Sequence, residues 1–193
     1  MHRMWKLIAA MLMTLFVVTA GMVYAGERPG AITLSPFVGG YTFDGAERLE
    51  TGPVVGLRLG YDFTKNFCLE GTFSYVPTSF TKLVDGTVNV FNYRLEGIYN
   101  FMPDRTLVPY VAIGGGGATL EMPTNVNVSH PHNHSPTVNV GGGIKWFLKD
   151  NVAIRADYHQ NFLIDTSDAN NNVQDFLVNY EYTIGLQILF GGT

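Results

Sequence analysis

Three histidines, His130, His132 and His134, stand at alternating positions in EMPTNVNVSHPHNHSPT, residues 121–137. Neutral imidazoles so spaced can share a Zn, Ni or Cu ion, which would make the stretch a metal-binding surface loop. Against that, no Cys or carboxylate stands beside the three, and Pro131 and Pro136 hold the stretch extended. Polar His-rich loops of this kind are commonly just solvated. The expectation is no bound metal and no cofactor. A second candidate is His159, two residues from both Asp157 and Asn161. A histidine with an acid partner can activate a serine hydroxyl for acyl chemistry. No serine adjoins this histidine, so the chain is read as a non-enzyme. The third group is a set of charges of both signs: Arg58, Asp62, Glu70, Arg94, Glu96, Lys145, Arg155, Asp157 and Glu181. Brought together away from water, such groups persist only by pairing with one another.

What brings them together is a repeated two-residue alternation. Between Gly52 and Val76, Val55, Leu57, Leu59, Tyr61 and Phe63 alternate with Val54, Gly56, Arg58, Gly60 and Asp62. A tight turn at Thr64, Lys65 and Asn66 follows. Beyond it Phe67, Leu69, Phe73 and Tyr75 alternate with Cys68, Glu70, Thr72 and Ser74. This is a β-hairpin with one bulky apolar face and one small, polar and charged face. The pattern recurs near residues 88–101, with Arg94 and Glu96 on the polar side, and near 137–148, with Lys145. It recurs again through Val152, Ile154, Tyr158 and Phe162, which alternate with Arg155, Asp157, His159 and Asn161. In the last strand, 176–190, Val178 to Phe190 alternate with Asn179, Glu181, Thr183 and Gln187. An entry strand near 32–43 places Phe37, Tyr41 and Phe43 on one parity, and a fifth strand near 108–120 contains Gly114 to Gly117. Glycine inside a strand marks curvature or close approach of a neighbour. Among Arg58, Glu70, Arg94 and Glu96, position along adjacent strands suggests a shared depth and hence one mid-lumen network.

Connections alternate in length. Residues 64–66, 102–106 and 149–151 make short links, and the other four are longer and polar. Short-long alternation over an even number of antiparallel strands is the pattern of an outer-membrane barrel. The predicted fold is therefore all-β, an eight-stranded antiparallel up-and-down transmembrane β-barrel over residues 26–193. The bulky face meets lipid and the charges fill the lumen. Aromatic girdles are expected at Phe63, Phe67, Phe101, Tyr110, Trp146 and Phe190 near the short turns. The second girdle would be Tyr41, Phe43, Tyr75, Phe91, Tyr158, Phe162 and Tyr180 toward the long loops. Balanced charges favour a hydrogen-bonded plug in an interior just wide enough for side chains, with a narrow, gated, low-conductance pore as the alternative.

The opening residues set the compartment. Arg3 and Lys6 precede an apolar run from Leu7 to Val23, and small or β-branched residues close at Ala25. This reads as a secretory signal peptide, residues 1–25, cleaved after Ala25. Beyond it no apolar stretch approaches the length of a spanning helix. The one cysteine, Cys68, cannot form an intramolecular disulfide. A formal net charge of −4, more negative once Arg3 and Lys6 leave, argues against a nucleic-acid partner. No Walker loop, dinucleotide fingerprint, paired-cysteine metal site or nucleophile elbow is present, and residues 165–175 lack calcium-loop spacing.

The segments SPFVGGYTFDG, GPVVGLRLGYDFTKNFCLEGTFSYVPT, VPYVAIGGGGATL, GGGIKWFLKDNVAIRADYH and YTIGLQILFGG resemble the transmembrane barrel domain of OmpA/OprF-type outer-membrane proteins. The resemblance implies insertion in the cell outer membrane by its assembly machinery, with roles in envelope integrity, surface contact or minor porin activity. Implied partners are outer-membrane lipid and lipopolysaccharide, periplasmic chaperones and the assembly machinery, with the barrel a monomer. Tyr182, Ile184, Leu186, Ile188 and Phe190 resemble the terminal signal that the machinery reads. Such proteins often continue into a peptidoglycan-binding domain, whereas this sequence stops at Thr193, so anchoring in cis is not expected. Alternatives to a structural and surface-interaction role are a lipid A-modifying enzyme and a metal-binding surface protein.

Overall fold

The computed structural model describes residues 26–45, 49–79, 87–121, 132–164 and 176–193. Eight antiparallel strands close into one barrel in chain order. They are β1 (Ala31–Thr42), β2 (Gly52–Asp62), β3 (Phe67–Ser79), β4 (Thr87–Asn100), β5 (Leu107–Glu121), β6 (His132–Lys149), β7 (Val152–Ile164) and β8 (Phe176–Gly191). Closure comes from β1 against β8, from Ala31 opposite Gly191 to Thr42 opposite Tyr180. A closed ladder leaves no edge, which is what a strand structure needs in order to sit in lipid.

The short links carry their own chemistry. Thr64 Oγ1 accepts from the backbone N–H of Asn66 (3.2 Å) and of Phe67 (3.0 Å), fixing the β2–β3 turn. Lys65 meets Asp104 of the neighbouring turn at 2.5 Å on the exposed rim.

The alternation sorts the side chains as period two requires. Leu57, Leu59, Tyr61, Phe73, Leu95, Tyr99, Ile144, Trp146, Ile184 and Phe190 lie exposed on the outer face. The charges of β2, β3, β4, β7 and β8, with Lys145 of β6, are buried inside, while Lys149 at the end of β6 is half-buried. Three aromatics assigned to the girdles depart from this. Tyr41, Phe43 and Tyr110 point inward and are buried, as does Phe37. In β1 it is Ile32 and Val38 that face out. The reason is room: Phe37 lies over Gly56, where an added Cβ would come within 2.4 Å of its ring. Phe37, Tyr41 and Phe43 join Leu49, Val54, Val76, Val88 and Val90 in an apolar layer beneath the long-loop end.

A second correction concerns the predicted loop 121–137. β5 runs through Glu121 and β6 starts at His132, with Glu121 opposite His132 and Thr119 opposite His134. Pro136 is tolerated there because it precedes the first pair of β6 with β7, Thr137 opposite Leu163, where the strand extends past the ring and is paired with β5 alone. His130 and residues 1–25 lie outside the described residues.

Candidate functional site

The lumen between the apolar layer and the short-turn mouth is filled by paired charges. Each guanidinium arrives from an inward position of a different strand: Arg58 from β2, Arg94 from β4, Arg155 from β7. Arg94 donates from Nη1 and Nη2 to Glu181 Oε2 and Oε1 at 3.0 and 2.8 Å. Arg155 does the same to Glu70 Oε2 and Oε1 at 2.6 and 2.9 Å. Both are forked pairs, the strongest arrangement for Arg and carboxylate. Strands β4 and β8, like β3 and β7, stand four places apart in a ring of eight. The two pairs therefore cross the full width of the lumen.

Bonds from each Nε, to a same-strand carboxylate and in one case also to a tyrosine of β5, hold each fork in its plane. Arg94 Nε donates to Glu96 Oε2 at 2.9 Å, and Arg155 Nε to Asp157 Oδ1 at 2.7 Å and Tyr110 Oη at 2.9 Å. Arg58 links the two forks. Its Nη1 is 3.1 Å from Asp157 Oδ2, and it lies 3.7 Å from Glu181 and 3.8 Å from Glu70, the acceptors of the two crossing pairs. It also donates to Thr183 Oγ1 at 2.8 Å, and Phe37 covers its guanidinium at 3.8 Å. Such a stack over an aromatic face suits a weakly hydrated guanidinium.

Glu96 gathers further polar groups. Asn139 donates to its Oε1, Thr72 donates to Oε2 at 3.3 Å, and His159 Nε2 stands 3.1 Å from Oε1. His159 is fully buried, and an added Cβ at Gly141 would come within 2.3 Å of its ring. Its nearest acid is thus Glu96 across the lumen rather than Asp157 beside it in sequence. Position along adjacent strands suggested Arg58, Glu70, Arg94 and Glu96 as the mid-lumen set. The structure brings all four together, but the principal bonds of Arg94 and Glu70 run to β8 and β7.

Lys145 is elsewhere. It bonds Glu27, in the segment before β1, at the short-turn mouth, where Gln187 also donates to Glu27 at 3.4 Å. Glu27, Tyr110, Asn139 and Thr183 are site residues that sequence reasoning did not assign. For Thr183 the signal was parity, since it shares the inward register of Glu181, whereas β5 has no charge at the parity of Tyr110 and offered none. Glu27 lies outside any periodic segment and offered none. Of the three histidines, His132 and His134 stand on β6, in register with Glu121 and Thr119 of β5. Among the described residues no three His, Cys, Asp or Glu side chains are arranged to hold a metal ion. Tyr182, Ile184 and Phe190 are exposed on the outer face of β8, with Leu186 and Ile188 half-buried beside them.

The barrel's likeness to known proteins is one of architecture. Neisserial surface protein A superimposes with a TM-score of 0.61 at 16% identity, covering 83% of this chain and 99% of that one. OprG from Pseudomonas aeruginosa gives 0.60 at 16%, covering 86% and 99%. The N-terminal barrel of Pseudomonas aeruginosa OprF gives 0.53 at 19%, covering 85% and 100%. No curated protein sequence matches the chain. The family model for the outer membrane protein beta-barrel domain matches residues 8–187. With a closed eight-stranded ring, an apolar outer face and a charged lumen beneath that match, the chain belongs to the outer membrane protein beta-barrel domain family and is a protein of the Gram-negative outer membrane.

Proposed function

We propose that this barrel is a structural and surface-interaction protein with a closed lumen, not an enzyme, whose four long connections carry its contacts. One observation carries the reading: two forked Arg–carboxylate pairs, Arg94–Glu181 and Arg155–Glu70, span the lumen between opposite strands. The apolar layer of Phe37, Tyr41 and Phe43 above them supports it. Purified barrel reconstituted in a planar bilayer, with heat-shifted gel mobility to establish the fold, is expected to pass no current. Reproducible steps from folded wild-type protein would overturn the closed reading.

The second reading is a narrow gated pore. Arg58 favours it, because it stands within 3.8 Å of the carboxylates of both crossing pairs and so offers each an alternative partner. In either case the chain is exported by residues 1–25, cut after Ala25, escorted by periplasmic chaperones and inserted as a monomer among lipid and lipopolysaccharide. The assembly machinery reads Tyr182, Ile184, Leu186, Ile188 and Phe190. Phe190→Ala is expected to lower the amount of heat-modifiable barrel in cells while leaving refolding of the purified chain intact. Equal amounts in cells would remove Phe190 from the signal.

A further inference from the structure

Two hollows outside the lumen share strand β8. One, of about 410 Å3, opens at the short-turn rim between Arg28, the β6–β7 turn and the end of β8. The other, of about 450 Å3, is an apolar groove on the outer wall, lined by Pro36 and Val38 of β1, Ile154 of β7, and Ile184 and Leu186 of β8. The wall between them is continuous and apolar. Phe190, Ile188, Leu186 and Ile184 follow one another at alternate positions of β8, and Val152 and Ile154 of β7 stand opposite Ile188 and Leu186. From Phe190 to Leu186 is roughly 13 Å along the strand, at about 3.4 Å per residue. An acyl chain spans that distance.

The rim hollow is built by two tied segments. Gly191 and Gly192 take positive φ (69° and 80°) and fold the end of β8 toward the segment before β1, where a Cβ on Gly192 would lie 3.0 Å from that of Arg28. Thr193 N–H then donates to Pro29 O at 3.1 Å. On the other side Leu189 N–H donates to Asn151 O at 2.9 Å, which holds the turn carrying Lys149 and Asp150 against β8. Among the described residues Arg28, Lys149 and Asp150 enter no ion pair. Arg28 Nε and Asp150 Oδ1 are buried atoms that make no hydrogen bond. Buried polar atoms in a native fold call for a partner. The hollow thus offers a guanidinium and an ammonium to an anion, and a carboxylate to a donor, beside Phe190 on the lipid-facing wall.

We propose that this hollow holds the headgroup of one glycerophospholipid of the periplasmic leaflet, a phosphodiester joined to a primary ammonium. Short turns of such barrels face the periplasm, which sets the leaflet. The phosphate accepts from Arg28 and Lys149, as phosphate oxygens do from a guanidinium fork and an ammonium. The lipid's ammonium donates to Asp150. One acyl chain runs past Phe190 and Ile188 into the groove at Pro36. Basic pockets at a membrane face recognise lipid headgroups through the same attraction.

Native mass spectrometry of the purified barrel in a delipidating detergent tests this. Three lipids with the same acyl chains are supplied: phosphatidylethanolamine; phosphatidylcholine, whose trimethylammonium has no N–H; and phosphatidylglycerol, which has no ammonium. Expected is one phosphatidylethanolamine per barrel, retained at collision energies that strip the other two. Arg28→Ala with Lys149→Ala is expected to lower the retained fraction several-fold, and Asp150→Ala to abolish the preference over phosphatidylcholine. Lys65→Ala, at another turn of the same rim, is expected to match wild type. Heat-shifted gel mobility establishes that each variant is folded, and if the double variant is not, Lys149→Ala alone is expected to lose several-fold. Inorganic phosphate at matched concentration is expected neither to bind nor to displace the lipid. Displacement by inorganic phosphate overturns the proposal in favour of a free-anion site. Equal retention of the three lipids, stronger retention of phosphatidylglycerol, or an undiminished adduct in the folded Arg28 and Lys149 variants also overturns it. None of these readouts depends on conductance, so a conducting barrel would refute the closed-lumen reading and leave this site standing.

Discussion

Arg155 and Glu70 show what the central network demands of a single residue. Both are buried, joined by two parallel N–H···O bonds, and each has a second charged neighbour at 2.7 to 3.8 Å. Removing one member leaves the other charged and without its main partner, which costs about 3–5 kcal/mol. Arg155→Ala and Glu70→Ala are each expected to fall by that amount in urea unfolding. The double replacement Arg155→Met with Glu70→Leu is expected to recover most of the loss, because a buried ion pair exchanged for packed apolar groups is often neutral. The exposed pair Lys65–Asp104 is the reference: Lys65→Ala should leave the midpoint nearly unchanged. If Arg155→Ala behaved like Lys65→Ala, the crossing pair would have no part in stability. His159 adds a steric case. Gly141→Ala places a Cβ within 2.3 Å of the imidazole and 2.6 Å of Tyr158 O, so the ring must leave Glu96. Overpacking of this kind costs about 1–3 kcal/mol, and an unchanged midpoint in Gly141→Ala would show that the ring has room to move.

At the scale of the strand, inward and outward positions differ in what they tolerate. Leu95 is exposed on the outer face of β4, between the buried Arg94 and Glu96. Leu95→Arg puts a charge into the lipid-facing wall and is expected to cost about 2–4 kcal/mol in refolding into bilayers. A cost near zero would place Leu95 at the membrane surface rather than within it. The same alternation explains what the sequence made legible. Wherever a strand carried a charge, as β2, β3, β4, β6, β7 and β8 do, period two identified two faces, and the short-long alternation of the connections with the export signal put the charged face inside. β1 has no charge at all, and both of its faces hold apolar residues, so Phe37 and Val38 could not be ordered by type. What places Phe37 inside is a contact distant in sequence, the space over Gly56 and the guanidinium of Arg58. Tyr110 was ambiguous for a related reason, since a tyrosine suits a girdle as well as a lumen, and its hydroxyl is committed only by Arg155. The early start of β6 was hidden because backbone pairing with β5 needs no particular side chain, so polar and proline residues at 132–136 masked a strand.

For the whole molecule the question is whether the lumen is closed by its side chains or by the ring itself. An eight-stranded barrel has an interior that side chains just fill, so permeability depends on what those side chains do. Arg94 and Glu181 are a single crossing pair from opposite strands, and removing both avoids leaving either charge alone. Arg94→Ala with Glu181→Ala should therefore still give the heat-shifted band of a folded barrel. It is expected to open a path on one side of the lumen, seen as small, reproducible conductance steps absent from wild type. Leu57→Ala, on the outer face, removes comparable bulk without touching the lumen and should stay silent. If the double variant folds and is silent too, the second crossing pair, Arg155 with Glu70, together with the layer of Phe37, Tyr41 and Phe43, is enough to close the barrel. Current through Leu57→Ala as well would mean that conduction arises from a loosened wall and not from the lumen. Steps in the double variant alone would make the Arg–carboxylate pairs the seal, and Arg58, poised between both, the residue around which any opening of the wild-type barrel must turn.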